Sequence, residues 1–286
     1  MTERRGSMIK LDLVGKSLGP SVFEYTWRDV ILYHLGIGAS PQDLNFVYEG
    51  VKGGLQVIPT FGVIPAFSVL WPLVKLLNVD LQKVLHGEQT IFADRPIPPQ
   101  GKLHSTARVE GIYDKGKAAL VQVRSETASE QGEVLFRCFA VFFCRGEGGW
   151  GGDPGPKGER HEVPGDRPSD FAISDQTSPN QAVLYRLTGD VNPLHVDPEF
   201  AAGAGFKQPI LHGLCTFGFA ARAILKAVCD NDVRRLKELK VRFSNVVFPG
   251  ETLTTRGWKV KPGLYRVEAV TPGGVALSQA FARVAE

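Results

Sequence analysis

Cysteine is scarce, with four in 286 residues (Cys138, Cys144, Cys215 and Cys229), each inside an apolar segment and none paired as CxxC. That excludes a disulfide framework and a cysteine-built zinc site, and leaves reduced, buried thiols of an intracellular protein as the expectation. No apolar run approaches the roughly 20 residues that span a bilayer, so no membrane insertion is expected. The opening Met1-Thr-Glu-Arg-Arg-Gly-Ser7 leads into no apolar stretch of the signal-peptide kind. Nor do the last residues, Ala282 to Glu286, form a Ser-Lys-Leu type peroxisomal address. These readings favour the cytoplasm, or the peroxisome if the chain belongs to a larger or truncated eukaryotic protein. Charge of one sign is lacking too: 33 Lys and Arg face 30 Asp and Glu, spread along the chain for a net +3. Nucleic acid is therefore not an expected partner, and a single anionic ligand is neither favoured nor excluded. What is present, 43% hydrophobic and 22% charged residues, is the balance of an ordinary globular chain. At about 150 residues per domain the length suggests about two domains, large enough to need no disulfide or structural metal.

The clearest boundary is the stretch 146–169. Gly146-Glu-Gly-Gly-Trp-Gly-Gly-Asp-Pro-Gly-Pro-Lys-Gly158, followed by Pro164 and Pro168, has no apolar periodicity and reads as an exposed connection. It separates 1–145 from 170–286. Each part ends in strand-like runs divided by short turns. In the first these are Leu103 to Tyr113, Ala118 to Glu126 and Glu133 to Arg145; in the second, Leu239 to Phe248, Glu251 to Val260, Leu264 to Val270 and Val275 to Val284. Turns this short permit only antiparallel meanders. Helical spacing is read at Trp27 to Leu35 and, after Ser178-Pro179, at Gln181 to Leu187.

Val84-Leu-His-Gly87 echoes Ile210-Leu-His-Gly213. After Gly213 the run to Val228 is apolar, Ala-rich and free of proline, as a buried helix would be. After Gly87 the chain soon reaches Pro96, Pro98 and Pro99, where no helix fits. Two related α+β modules are expected, the first having lost the central helix that the second keeps and so leaving space for a ligand. The apolar stretch Leu55 to Trp71, broken by Pro59 and Pro65, is expected to line that space or cover a sheet, with Phe61, Phe67 and Trp71 as candidates.

The densest polar cluster is Tyr185-Arg-Leu-Thr-Gly-Asp190-Val-Asn192-Pro-Leu-His195-Val-Asp197-Pro198. Gly189 and Pro193 bracket an irregular loop that can aim Asp190, Asn192 and His195 at one place, where a carboxylate and an imidazole exchange protons with a substrate or water. The same residues would equally serve as turn caps with a backbone-bonded histidine. His195, Asp197 and His212 offer metal ligands without CxxC or HExxH spacing, so no metal is expected. There is no Gly-x-Ser-x-Gly elbow, and Cys215 sits in the apolar helix. Gly213 would place its N–H at a helix N-terminus, where a developing oxyanion is favoured.

The loop motif, followed by Gly205-Phe-x-x-Pro-Ile-Leu-His-Gly-Leu-Cys-Thr-Phe-Gly218, resembles the hydratase 2 motif of the MaoC-like (R)-specific 2-enoyl-CoA hydratases. The group includes the hydratase part of peroxisomal multifunctional enzyme type 2. Val84-Leu-His-Gly-Glu-Gln89, Pro96-x-Pro98, Gly101-Lys-Leu103, Asp114-Lys-Gly116, the Gly-Gly-Trp-Gly-Gly stretch, Val241-Arg-Phe243 and Phe248-Pro-Gly250 extend the resemblance over nearly the whole chain. It implies a double hot-dog fold, with a helix-poor acyl-CoA-binding module at 1–145 and a catalytic module at 170–286. It implies reversible hydration of a trans-2-enoyl-CoA to the (R)-3-hydroxyacyl-CoA, without metal or redox cofactor, by a homodimer. It assigns the acid–base pair to Asp190 and His195, an orienting role to Asn192 and the thioester oxygen to the Gly213 N–H. By the same carry-over His86, Gly87, Lys115, Tyr185 and Phe243 bind substrate, Tyr185 with the added prospect of supporting the loop from behind. Val191 departs from members that carry a larger aromatic residue there. Alternatives are a carrier-protein-linked (R)-3-hydroxyacyl dehydratase, an acyl-CoA thioesterase on the same fold, and a non-catalytic acyl-thioester binder. The last would be expected to lack Asp190 or His195.

Overall fold

The computed structural model describes residues 9–80, 83–162 and 167–286, with the side chain of Trp71 outside what is described. Ten strands form one antiparallel sheet. The first half supplies β1 (Ser17–Tyr25), β2 (Val84–Ala93), β3 (Gly101–Asp114), β4 (Ala118–Ser129) and β5 (Val134–Arg145). The second supplies β6 (Phe171–Gln176), β7 (Leu236–Phe243), β8 (Thr252–Lys261), β9 (Leu264–Thr271) and β10 (Gly274–Val284). Alternation explains the meanders. In β3, Leu103, Ser105, Ala107 and Val109 are buried while Lys102, Thr106, Arg108 and Glu110 are exposed, the period of a strand with one covered face.

The spatial order is β1-β3-β4-β5-β2 followed by β7-β10-β9-β8-β6, so the second half repeats the first in reverse across the β2–β7 seam. At that seam Glu88 pairs with Arg242, Thr90 with Lys240 and Ile91 with Leu239. This is the double hot-dog arrangement: two like halves fused into one sheet, with a helix laid across each.

Those helices are α3 (Val63–Leu76) and α6 (Gly213–Val228); the shorter ones are α1 (Trp27–Gly36), α2 (Leu44–Val47), α4 (Gln181–Tyr185) and α5 (Pro198–Gly203). Every residue of α6 from Leu214 to Leu225 is buried, because the sheet lies on one side and the end of α1 on the other. Mid-helix Gly218 costs about 1 kcal/mol of helix propensity, and close packing explains it. A Cβ there would collide with the Ile37 side chain.

The expectation of a lost helix in the first half is corrected by α3, which packs on β1, β3 and β4. The helix does not follow His86-Gly87, which lies inside β2, but precedes it. Pro65 falls in the first turn of α3, where the missing N–H has no acceptor to satisfy; only Pro72 interrupts the helix interior. The echo is therefore one of sequence, since His86-Gly87 forms a bulge in β2 whereas His212-Gly213 begins α6. The apolar segment Pro59–Leu76 has the length and composition of a membrane span, yet it is 71% buried inside the fold.

Candidate functional site

The loop Gly189–His195 follows α4 and a 3-10 turn, Arg186–Thr188, which Thr188 closes by donating its hydroxyl to the Tyr185 carbonyl (2.8 Å). Gly189 then takes φ +142°, a backbone region natural to glycine, and turns the chain. Asp190 comes next. Its carboxylate accepts the Asn192 N–H (3.2 Å), and the Asn192 side-chain oxygen accepts the Leu194 N–H (3.1 Å), capping the turn Pro193–His195. Asn192 thus braces both Asp190 and the turn that carries His195. Asp197, the third acid of the motif, caps α5 by accepting the Glu199 and Phe200 N–H groups. Its carboxylate serves the helix and is not part of the cluster.

His195 is buried, with Nδ1 2.8 Å from the Ile210 carbonyl oxygen. A ring nitrogen facing a carbonyl must donate, so Nδ1 carries the proton and Nε2 keeps a lone pair. Burial pushes His195 below the ordinary imidazole value, while the Asp190 carboxylate and the Ile210 carbonyl pull part of the way back. The ring of His212 stacks on it at 3.6 Å. His212 Nε2 donates to the Asp190 carbonyl oxygen (3.0 Å), and its Nδ1 is buried without a partner. Burial, with His195 alongside, drives His212 down to about 2. Ligand-type atoms of Asp190, His195 and His212 lie within 4.8 Å of one another. The two imidazoles and the carboxylate fit a divalent ion in number, but one nitrogen of each ring is already committed to a backbone carbonyl.

His212 is also the N-cap of α6; its carbonyl accepts the Cys215 and Thr216 N–H groups. The Gly213 N–H, one position into the helix, has no acceptor among the described residues and stands at the positive end of the helix. The Phe243 ring covers it so closely that a Cβ on Gly213 would lie 3.1 Å from Cδ1. The His86 ring meets Phe243 at 5.2 Å. Burial pushes His86 down to about 4 and leaves its Nε2 without a partner.

These groups share one cavity of about 1790 Å³. Of the residues singled out in the sequence, Asp190, Asn192, His195, Gly213, His86, Gly87, Lys115 and Phe243 all line it. Tyr185 does not: its assignment as a substrate contact is corrected, because it is fully buried behind the loop against Tyr33 and His212. Phe67 reaches the cavity, as do Ser68 and Pro72 of α3, whereas Phe61 is core. Sequence reasoning set His212 beside His195 only as a possible metal ligand and did not anticipate its place stacked on His195 and bonded to the Asp190 carbonyl. It also missed Arg145, which with Lys115 gives the cavity two cations that have no carboxylate partner among the described residues. Two further cations, Lys240 and Arg242, are paired with Glu88.

Comparison with known proteins bears on both halves. Residues 23–146 match the family described as MFE-2 hydratase 2 N-terminal domain, and residues 162–276 match the MaoC like domain. A probable enoyl-CoA hydratase 2 of Dictyostelium discoideum is 38% identical over 278 residues, covering 94% of each chain. Peroxisomal multifunctional enzyme type 2 of Mus musculus is 42% identical over 277 residues, covering 94% of this chain and 37% of the mouse protein. The crystal structure of a MaoC-like dehydratase from Phytophthora capsici superposes with a TM-score of 0.88 at 34% identity, covering 97% of this chain and 98% of that one. Matched in both halves, and along nearly its full length by a relative of similar size, this chain belongs to the MaoC-like hydratase 2 family and is a hydro-lyase.

Proposed function

We propose that the protein catalyses reversible syn addition of water to a trans-2-enoyl-CoA, giving the (R)-3-hydroxyacyl-CoA. The observation that carries this reading is the convergence of Asp190, the free Nε2 of His195 and the unpaired Gly213 N–H on one cavity. Water is a poor nucleophile, so one member of the Asp190–His195 pair takes its proton as the oxygen reaches C3. The pair returns a proton to C2 from the same face, so that OH and H add together and the addition is syn. Negative charge grows meanwhile on the thioester oxygen, and a fixed N–H such as that of Gly213 stabilises such charge by about 3 kcal/mol. Asn192 and His212 hold the pair in place, one through the carboxylate and the turn, the other through the Asp190 carbonyl and the stacked ring.

Nothing in this route calls for a metal or redox cofactor. Lys115 and Arg145 favour the phosphate-bearing CoA over other thioesters, and the apolar wall from α3 receives the acyl chain. The four buried free thiols suit a reducing compartment such as the cytoplasm.

The test follows loss of enoyl-thioester absorbance over several chain lengths, with product trapped separately by (R)- and (S)-specific 3-hydroxyacyl-CoA dehydrogenases. Hydration coupled only to the (R)-enzyme is expected, falling by about 10²- to 10⁴-fold in folded Asp190→Asn and His195→Gln. Free CoA thiol released without hydration would replace this reading with a thioesterase.

A further inference from the structure

The glycine-rich stretch after β5 has the composition of a linker, yet its backbone is fastened to one side chain. Asp114, the last residue of β3, accepts four N–H groups: Gly116 (2.7 Å) and Gly149 (2.8 Å) on Oδ1, Gly151 (2.8 Å) and Gly152 (3.3 Å) on Oδ2. Its own N–H donates to the Asp153 carbonyl (2.8 Å). The neighbouring residues join in. Lys115 Nζ donates to the Pro154 carbonyl, and Gly155 packs so tightly on the Tyr113 ring that a Cβ would sit 2.6 Å from Cγ. Gly148 approaches the Ala118 carbonyl to a distance that a Cβ would reduce to 2.5 Å.

Gly149 (φ +93°) and Gly151 (φ +77°) adopt the left-handed conformation that lets nearby N–H groups converge on one anion. Here the anion is the chain's own carboxylate. The Gly149 N–H, with those of Gly116, Gly151 and Gly152, holds Asp114 at about 2, ionised throughout the physiological range. The strap so fastened is functional wall, because Pro154, Gly155, Pro156 and Gly158 line the cavity together with Tyr113 and Lys115. Among the described residues, no hydrogen bond links the strap to the Gly189–His195 loop.

We propose that Asp114 is a positioning residue that fastens the strap and Lys115 into the wall facing the phosphates of CoA, setting affinity for that half of the substrate and not the rate of hydration. The inference rests on the CoA-thioester reading above and deepens it. Because backbone N–H groups satisfy the Asp114 carboxylate, it makes no ion pair with Lys115, whose charge stays available to a phosphate. Because the reacting groups stand on the Gly189–His195 loop and the start of α6, in the second half of the chain, loosening the strap leaves them in register.

The experiment compares trans-2-enoyl-CoA with the matching trans-2-enoyl-pantetheine, which lacks the nucleotide and its phosphates, in wild type, Asp114→Asn and Gly151→Ala. Asparagine turns an NH₂ toward two of the four donors. Alanine at Gly151 meets open space but resists the positive φ, and acts on the strap without touching the sheet. For the CoA substrate, KM is expected to rise about tenfold in both variants with kcat unchanged. For the pantetheine substrate, neither constant should move. A kcat that falls equally on both substrates, or an unchanged KM for the CoA substrate, would overturn the proposal. If Asp114→Asn fails to fold, Gly151→Ala alone decides. Wild type inactive on both thioesters would instead strike the hydratase reading itself.

Discussion

Acid should unfold this protein well above the carboxylate range, and two buried histidines set the magnitude. His34 joins α1 to the segments that follow it: Nδ1 donates to the Phe46 carbonyl (2.7 Å), and Nε2 accepts the Ile58 N–H (3.1 Å). Burial pushes it down to about 4, and His212 lies at about 2. Both titrate near 6.5 in the unfolded chain. A folded-state pKa depressed below the unfolded one contributes stability that is full above about 6.5 and lost as pH falls. Each unmatched proton is worth about 1.4 kcal/mol per pH unit, so below pH 6 the two together remove about 3 kcal/mol per unit. By pH 5 the loss reaches about 4 kcal/mol, a large part of an ordinary 5–15 kcal/mol. His195 and His86 are depressed as well and add to it. The carboxylates held low, Asp114 and Asp170 among them, act only in more acid solution. Glu147 and Glu238, raised by burial, work in the opposite sense and likewise only near the carboxylate range.

Urea unfolding at pH 7.5, 6 and 5 measures the slope, and His34→Gln isolates one contributor. That variant should lose about 1–3 kcal/mol at pH 7.5, because the Ile58 N–H or the Phe46 carbonyl is left unpaired. Its handicap should then shrink by about 1.4 kcal/mol per pH unit below 6, since one titrating ring is gone. A wild-type stability that changes by less than about 1 kcal/mol between pH 7.5 and 5 would refute the reasoning, as would an unaltered slope in His34→Gln.

Three further outcomes are expected. Gly213→Ala should keep the fold but lower kcat by about tenfold to a hundredfold, because the new Cβ displaces Phe243 and the N–H loses its aim; steady-state hydration kinetics and a thermal melt separate the two effects. Arg222→Met should cost about 3–5 kcal/mol in urea unfolding, since the buried guanidinium of α6 bonds Asp175, lies 3.7 Å from Asp43 and donates to the Ile37 carbonyl, leaving unpaired carboxylates when it is removed. Exhaustive dialysis against a chelator should leave hydration unchanged; activity lost and restored by one divalent ion would make Asp190, His195 and His212 metal ligands.

Period and turn chemistry made the meanders legible. β3, β4, β5 and β8 to β10 were each visible as alternating runs cut by Gly, Pro and Asp, within a few residues of their observed ends, whereas β7, read as Leu239 to Phe248, runs from Leu236 to Phe243. The strands that escaped lacked those marks. β1 and β6 lie at the two edges of the sheet, where one side has no partner strand and almost no residue is buried: only Tyr25 in β1 and none in β6. β2 was obscured by its His-Gly pair, which looks like the start of α6 but serves as a bulge. α3 was hidden by Pro59, Pro65 and Pro72, because a proline reads as a breaker until its place in the helix is known. The strap was hidden for the opposite reason. Its glycines read as freedom, whereas Asp114, some thirty-five residues earlier in the chain, uses their N–H groups to hold it. Contacts of that range leave no local periodicity.

The site loop admitted two readings in sequence, turn caps or an acid–base constellation, and the geometry divides its residues between them. Asp197 is a cap and nothing more. Asn192 caps one turn and also lines the cavity. His195 gives Nδ1 to a backbone carbonyl, as the structural reading required, and that bond is what fixes the tautomer that leaves Nε2 bare. Asp190 receives a single backbone N–H on its carboxylate, while its carbonyl takes the His212 proton. Local structure thus uses one side of each group and leaves the other toward the cavity. The two readings compete only if a side chain has a single use; a carboxylate or an imidazole has two ends, and here the structural bond at one end aims the other.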